Sequence, residues 1–112
     1  DKPVRLTAFK ALHARAPQDL GPIDLALKTG QVDVGVEAVK SLEPLAKADD
    51  QALTRLVDAL DAAAWDVRKA ALESLESVYD AQAPTASLTA LGSRHGDLRA
   101  RSLVRLFERR LL

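Results

Sequence analysis

Three arginines at i, i+4 and i+8, Arg101, Arg105 and Arg109, share one side of the last helical stretch, with Arg94, Arg99 and Arg110 nearby. A phosphate-contacting surface needs such a stripe, because each guanidinium can neutralise one backbone charge of a nucleic acid. Two features weigh against that chemistry. Glu37, Glu43, Glu73 and Glu76 fall on the corresponding exposed face of earlier segments, and no aromatic residues interleave with the arginines to stack bases. His13 and His95 are far apart, and neither has a second ligand at metal spacing. Cysteine is absent, the serines lack a strand-turn-helix nucleophile elbow, and no glycine loop is built to cradle phosphate. We therefore expect no enzyme activity, no cofactor and no metal.

A second arginine set, Arg5, Arg68 and Arg99, points to the elements that position it. Each follows the first aliphatic residue of a repeated template: Val4 to Leu12, Val34 to Leu42, Val67 to Leu75 and Leu98 to Leu106 begin 30, 33 and 31 residues apart. A fixed period of that size signals stacked units, each burying an apolar face against its neighbours. With the first aliphatic residue as position zero, positions zero, four, five and eight cluster within an arc of roughly 140° at 100° per residue. They read Val4, Ala8, Phe9, Leu12; Val34, Ala38, Val39, Leu42; Val67, Ala71, Leu72, Leu75; and Leu98, Ser102, Leu103, Leu106, with only Ser102 polar. Arg5, Arg68 and Arg99 occupy position one, inside that arc. A guanidinium facing a core is costly unless paired, so these three are expected to be structural buried charges, each held by an aspartate or a loop carbonyl. In the second segment, Gly35 replaces the arginine.

Between the four long segments lie three shorter ones, 21–29, 50–63 and 85–93, which we expect to be the first helices of helix pairs. Leu27, Leu60 and Leu91 stand six positions before the next aspartate; Ile23 and Leu56 stand ten before it, where Ser87 breaks the set. Pro22 suits a first helical turn, Asp50 and Thr85 are candidate caps, and Asp33, Asp66 and Asp97 suit helix amino ends. Gly30 and Gly92 are stop candidates. Pro44 either ends the second long helix near Glu43 or kinks it, and Leu45 and Ala46 favour the kink because they keep the apolar period. Val32 to Val36 alternates like a strand but occupies the helical register.

Composition agrees with a helical core. Of the 112 residues 47% are hydrophobic and only 4% aromatic, so Ala, Leu and Val must fill the interior. Charge sums to zero but is uneven: −1 over residues 1–50, −3 over 51–90 and +4 over 91–112. No apolar run approaches the roughly 20 residues that span a bilayer. With cysteine absent, these features set the expectation of a soluble, cytoplasmic chain without membrane contact.

The stretch Trp65–Leu75 (WDVRKAALESL) resembles the second helix of HEAT repeats, particularly the short HEAT-like type with units of about thirty residues. Asp1-Lys2-Pro3-Val4-Arg5 matches its Asp-x-x-Val-Arg form, and Asp97-Leu98-Arg99 is a shifted version. The resemblance implies an all-α, right-handed α-α superhelix, a HEAT-like solenoid of seven helices, one unpaired and six in three pairs. It covers 1–112 as a single array with units near 1–16, 17–47, 48–80 and 81–112, expected to belong to a longer protein whose remainder packs on one or both ends. It further implies a concave wall of second helices. Positions three, six and seven there read Thr7, Lys10, Ala11; Glu37, Lys40, Ser41; Ala70, Glu73, Ser74; and Arg101, Val104, Arg105. Their mixed charge suits a protein partner, so Lys10, Glu37, Lys40, Glu73, Arg101 and Arg105 are the candidate binding residues of a scaffold module. The alternatives are a nucleic-acid-binding segment using the arginine stripe, and a spacer or accessory domain of a larger HEAT-like enzyme.

Overall fold

Alanine and leucine repeating on one helical stripe leave the backbone little alternative to helix. The computed structural model, which describes residues 2–79 and 84–109, contains α1 (Lys2–Arg15), α2 (Gly21–Lys28), α3 (Val32–Ala46), α4 (Asp50–Ala59), α5 (Trp65–Tyr79), α6 (Pro84–Ala90) and α7 (Gly96–Glu108). There is no strand among the described residues, and Val32–Val36 opens α3. Consecutive helices pack on each other, and the long helices also pack in sequence, α1 on α3, α3 on α5 and α5 on α7. The shortest dimension, 18 Å, accommodates two helix layers.

Helix ends follow local chemistry, with two corrections. Asp49, not Asp50, caps α4: its carboxylate accepts the Gln51 amide at 2.9 Å, and Asp50 is already helical. Thr85 lies inside the first turn of α6, so it is not the cap, and the residues before Pro84 lie outside the described ones. Gly30 has φ +73°, the left-handed turn that releases α2 into α3 and that glycine adopts without steric cost. Pro44 lies inside α3, which runs on to Ala46 and does not stop at Glu43. The lost bond to the Lys40 carbonyl is offset by burial beyond the proline: Ala46 is buried and Leu45 packs on the core.

The core is densest where units meet on both sides. All four arc positions of α3 and of α5 are buried, and Leu42 and Leu75 are fully enclosed; each such leucine contributes roughly 1.5–3 kcal/mol by burial. The end helices depart from the expected arc in opposite ways. In α1 Phe9 is buried but Val4, Ala8 and Leu12 are exposed; in α7 Leu98, Ser102 and Leu106 are buried but Leu103 is exposed. Position five therefore faces the following unit, and positions zero, four and eight face the shorter helix of the same unit. Ala8 and Leu12 line an open cleft between α1 and α2 with Pro22 and Leu25.

The shorter helices obey one register as well. Ile23, Leu56 and Ser87, ten residues before the next aspartate, are all fully buried, and Ala26, Ala59 and Ala90 lie beneath them. Ser87 thus fills a leucine's place with a hydroxyl that has no hydrogen-bond partner among the described residues.

Candidate interaction face

Apart from Arg105–Glu108 within α7, the hydrogen bonds between two side chains all span 28 to 34 residues among the described ones. That is one unit, so polar chemistry ties each unit to the next. The position-one arginines form one series of these ties. Arg5 Nε donates to Asp33 Oδ1 at 3.0 Å, and Arg68 Nη2 donates to Asp97 Oδ2 at 2.7 Å. Arg68 also sends Nη1 to the carbonyls of Ala62 and Ala63, at 2.7 and 2.9 Å, and its guanidinium carbon stands 5.9 Å from the centre of the Trp65 ring. Of the three, only Arg68 is buried. Arg5 is half-buried, and Arg99 is exposed, donating to the Ser93 carbonyl at 2.8 Å. The expectation of three buried arginines is corrected accordingly: among the described residues only Arg68 has loop carbonyls and an aspartate closing over it together, whereas Arg5 is held by Asp33 alone and Arg99 by the Ser93 carbonyl alone.

At the junction between the second and third units the series stops. Gly35 carries no guanidinium, and a β-carbon there would meet Val67 Cγ2 at 3.0 Å, so α3 and α5 cross closely at this point. Asp66, the register counterpart of Asp33 and Asp97, is exposed and joins no ion pair among the described residues.

The basic stripe of α7 is largely consumed within the fold. Arg105 grips Glu76 through Nε and Nη2 at 3.0–3.1 Å, and Arg109 Nη2 adds a bond to the same carboxylate at 3.0 Å. Glu76 is 7% exposed, so both arginines serve to neutralise it. Hydrogen bonding to Glu76, with a further bond to Glu108, raises the Arg105 pKa. Arg94 bonds Asp61 at 2.8 Å, and Arg110 lies outside the described residues. Of the stripe, Arg101 alone has no ion-pair partner among them, while Arg105, a candidate binding residue, is paired with Glu76 and Glu108. The pairing with Glu76 was not visible in the chain because Glu76 reads as a surface residue until α7 is laid across it.

The remaining candidates lie mostly along α1, α3 and α5. Lys10, Lys40 and Glu73 are exposed, Glu37 and Arg101 are half-buried, and Ala70 and Ser74 are buried against the neighbouring helices. Lys40 and Glu73 meet in a shallow groove of about 340 Å³ between α3 and α5, completed by Val36, Asp66, Lys69 and Ala70. Val36, Asp66 and Lys69 were missed by the three-six-seven rule, although a signal existed. At 100° per residue, positions minus one and two stand at about 260° and 200°, beside position six at about 240°. Across the groove only Lys69 and Glu73 approach as an ion pair, at 4.0 Å and within α5, leaving Lys40 and Asp66 without ion-pair partners among the described residues.

Three aspartates of the inter-unit ties have lowered pKa values. For Asp33 and Asp97 burial is the largest influence and pushes upward, but hydrogen bonds from Arg5 or Arg68 and from backbone amides outweigh it. For Asp61 the bond from Arg94 leads, with His95 adding to it. A carboxyl depressed in the folded state contributes its stability above the unfolded value, about 4, and loses it as pH falls through the folded value. The unfolding midpoint in urea is therefore expected to drop below about pH 4. Asp97→Asn should flatten that drop, and an identical acid profile for the variant would refute this role.

His13 stacks on Phe9 at 5.9 Å, and His95 Nε2 lies 3.0 Å from Asp61 Oδ1. No group of three or more His, Asp or Glu among the described residues could hold a metal ion, and none of their helices is long and apolar enough to cross a membrane. No protein-family model, curated protein or solved structure matches the chain.

Proposed function

We propose that the chain is a HEAT-like, right-handed solenoid segment that binds a protein partner along the wall formed by α1, α3 and α5. The observation that carries this reading is the α3–α5 groove, where Lys40 and Lys69 alternate with Asp66 and Glu73 over an apolar floor of Val36 and Ala70. Alternating charge at that scale complements a polypeptide surface of alternating sign and sets register and specificity. A polyanion would meet as much repulsion as attraction there, and two of the three stripe arginines, Arg105 and Arg109, are spent on Glu76. The unit-to-unit spacing of the ion pairs supports the repeat architecture.

The test is affinity capture with the chain and with its Lys10→Ala, Lys40→Ala, Glu73→Ala triple variant. All three positions are exposed, so the variant should fold with a midpoint within about 1 kcal/mol of wild type. Partners recovered by the wild type should be lost by the variant. An unchanged partner set would overturn the assignment of this wall, and recovery of no partner by either chain would favour a spacer.

A further inference from the structure

An open cavity of about 470 Å³ lies between the second and third units. It is about twice the volume of its counterpart between the third and fourth units, about 240 Å³, and lacks two side chains present there. Between the third and fourth units, Arg68 fills the space beside the Ala62 and Ala63 carbonyls, and Arg94 enters from the following loop to meet Asp61. One unit earlier, Gly35 stands in place of Arg68 and Ala63 in place of Arg94. The backbone anchors this equivalence: Arg68, Gly35 and Arg99 donate their amides to Ala64, Gln31 and His95, each four residues back. Thr29 and Gly30 therefore occupy the places of Ala62 and Ala63, whose carbonyls receive the Arg68 guanidinium. Gly30, Gly35 and Ala63 all line the cavity.

What favours a cation in this space is its backbone. α2 ends at Lys28 and α4 at Ala59, both on the cavity wall, so two helix carboxyl ends direct partial negative charge toward it. Asp24 and Arg55 on the wall neutralise each other through paired bonds of 3.0 and 3.1 Å, Asp61 is held by Arg94 and His95, and Asp58 and Lys28 join no ion pair among the described residues. Ala26, Leu27 and Val67 supply an apolar surface for an aliphatic stem. We infer that this cavity receives the guanidinium of an arginine from a partner protein, which supplies in trans the arginine that Gly35 omits. A guanidinium suits the site better than an ammonium because its planar fork can serve a carbonyl pair from one nitrogen and a further acceptor from another, as Arg68 does through Nη1 and Nη2.

The cavity uses none of Lys10, Lys40 and Glu73, so the two readings can fail separately. The test titrates the isotope-labelled 112-residue chain with a blocked Ala-Arg-Ala peptide and with its citrulline counterpart, which keeps the shape without the charge. Saturable amide shifts are expected at Gly30, Gly35 and Ala62 to Ala64, with a dissociation constant of order 1 mM. The citrulline peptide should bind about tenfold more weakly or not at all. Gly35→Arg should abolish binding by supplying the guanidinium in cis. Because a β-carbon at 35 crowds Val67, Ala63→Arg at an exposed loop position serves as the second variant and should also lose the peptide. Equal binding of the citrulline peptide, shifts confined to other residues, absence of saturation, or wild-type binding by Ala63→Arg would each overturn the inference. The triple-alanine variant should bind the peptide as wild type does.

Discussion

Replacing Arg68 with alanine is expected to lower the unfolding free energy by about 2–4 kcal/mol, read as a fall in the urea midpoint with unchanged slope. The side chain is 7% exposed and holds two loop carbonyls and Asp97 at once. Its removal leaves the Ala62 and Ala63 carbonyls without that donor and opens a void beside Trp65. Asp97 is 46% exposed and can return to water, which keeps the loss below that of a fully buried pair. Arg68→Lys should recover only part of it, since a single ammonium cannot reproduce the fork. A midpoint equal to wild type would show that the loop and Asp97 are held by other contacts.

The double replacement Arg105→Ala, Arg109→Ala is expected to cost about 3–5 kcal/mol, because it strands Glu76 as an unpaired buried carboxylate. Adding Glu76→Gln to that background should return part of the loss, since a neutral amide no longer has to be buried as a charge. Either arginine alone should cost less, as the other remains on the carboxylate. A domain of this size has roughly 5–15 kcal/mol in total, so the double variant should be visibly less stable in thermal or urea unfolding. If its stability matched wild type, the stripe would be free for an external anion and the pairing with Glu76 would be incidental.

These two clusters differ in how far they could be read ahead of the structure. Arg68 was legible as a structural charge because its position in the apolar arc is a local property of one helix. Glu76 was not, since it stands with the glutamates of an exposed face until Arg105 and Arg109 cover it from a helix 29 to 33 residues away. The groove between α3 and α5 lies between these cases. Lys40 and Glu73 were legible from the wheel, whereas Val36, Asp66 and Lys69 joined them only once α3 and α5 were set side by side.

By itself the sequence determined the helices and their apolar faces. Propensity and a 3.6-residue period act within a few turns, and a thirty-residue recurrence of the same pattern specifies which helices are alike. Tertiary structure alone decided which of the like positions are equivalent in environment. Phe9 and Leu103 hold the same register, yet one is buried and the other is 48% exposed; Arg68 and Arg99 differ in the same way. The reason is that burial at these positions is contributed by side chains some thirty residues away in sequence, so identical local sequence has different energies in different surroundings. The gap at Gly35 has the same origin, as an unfilled place can be recognised only against the filled ones beside it.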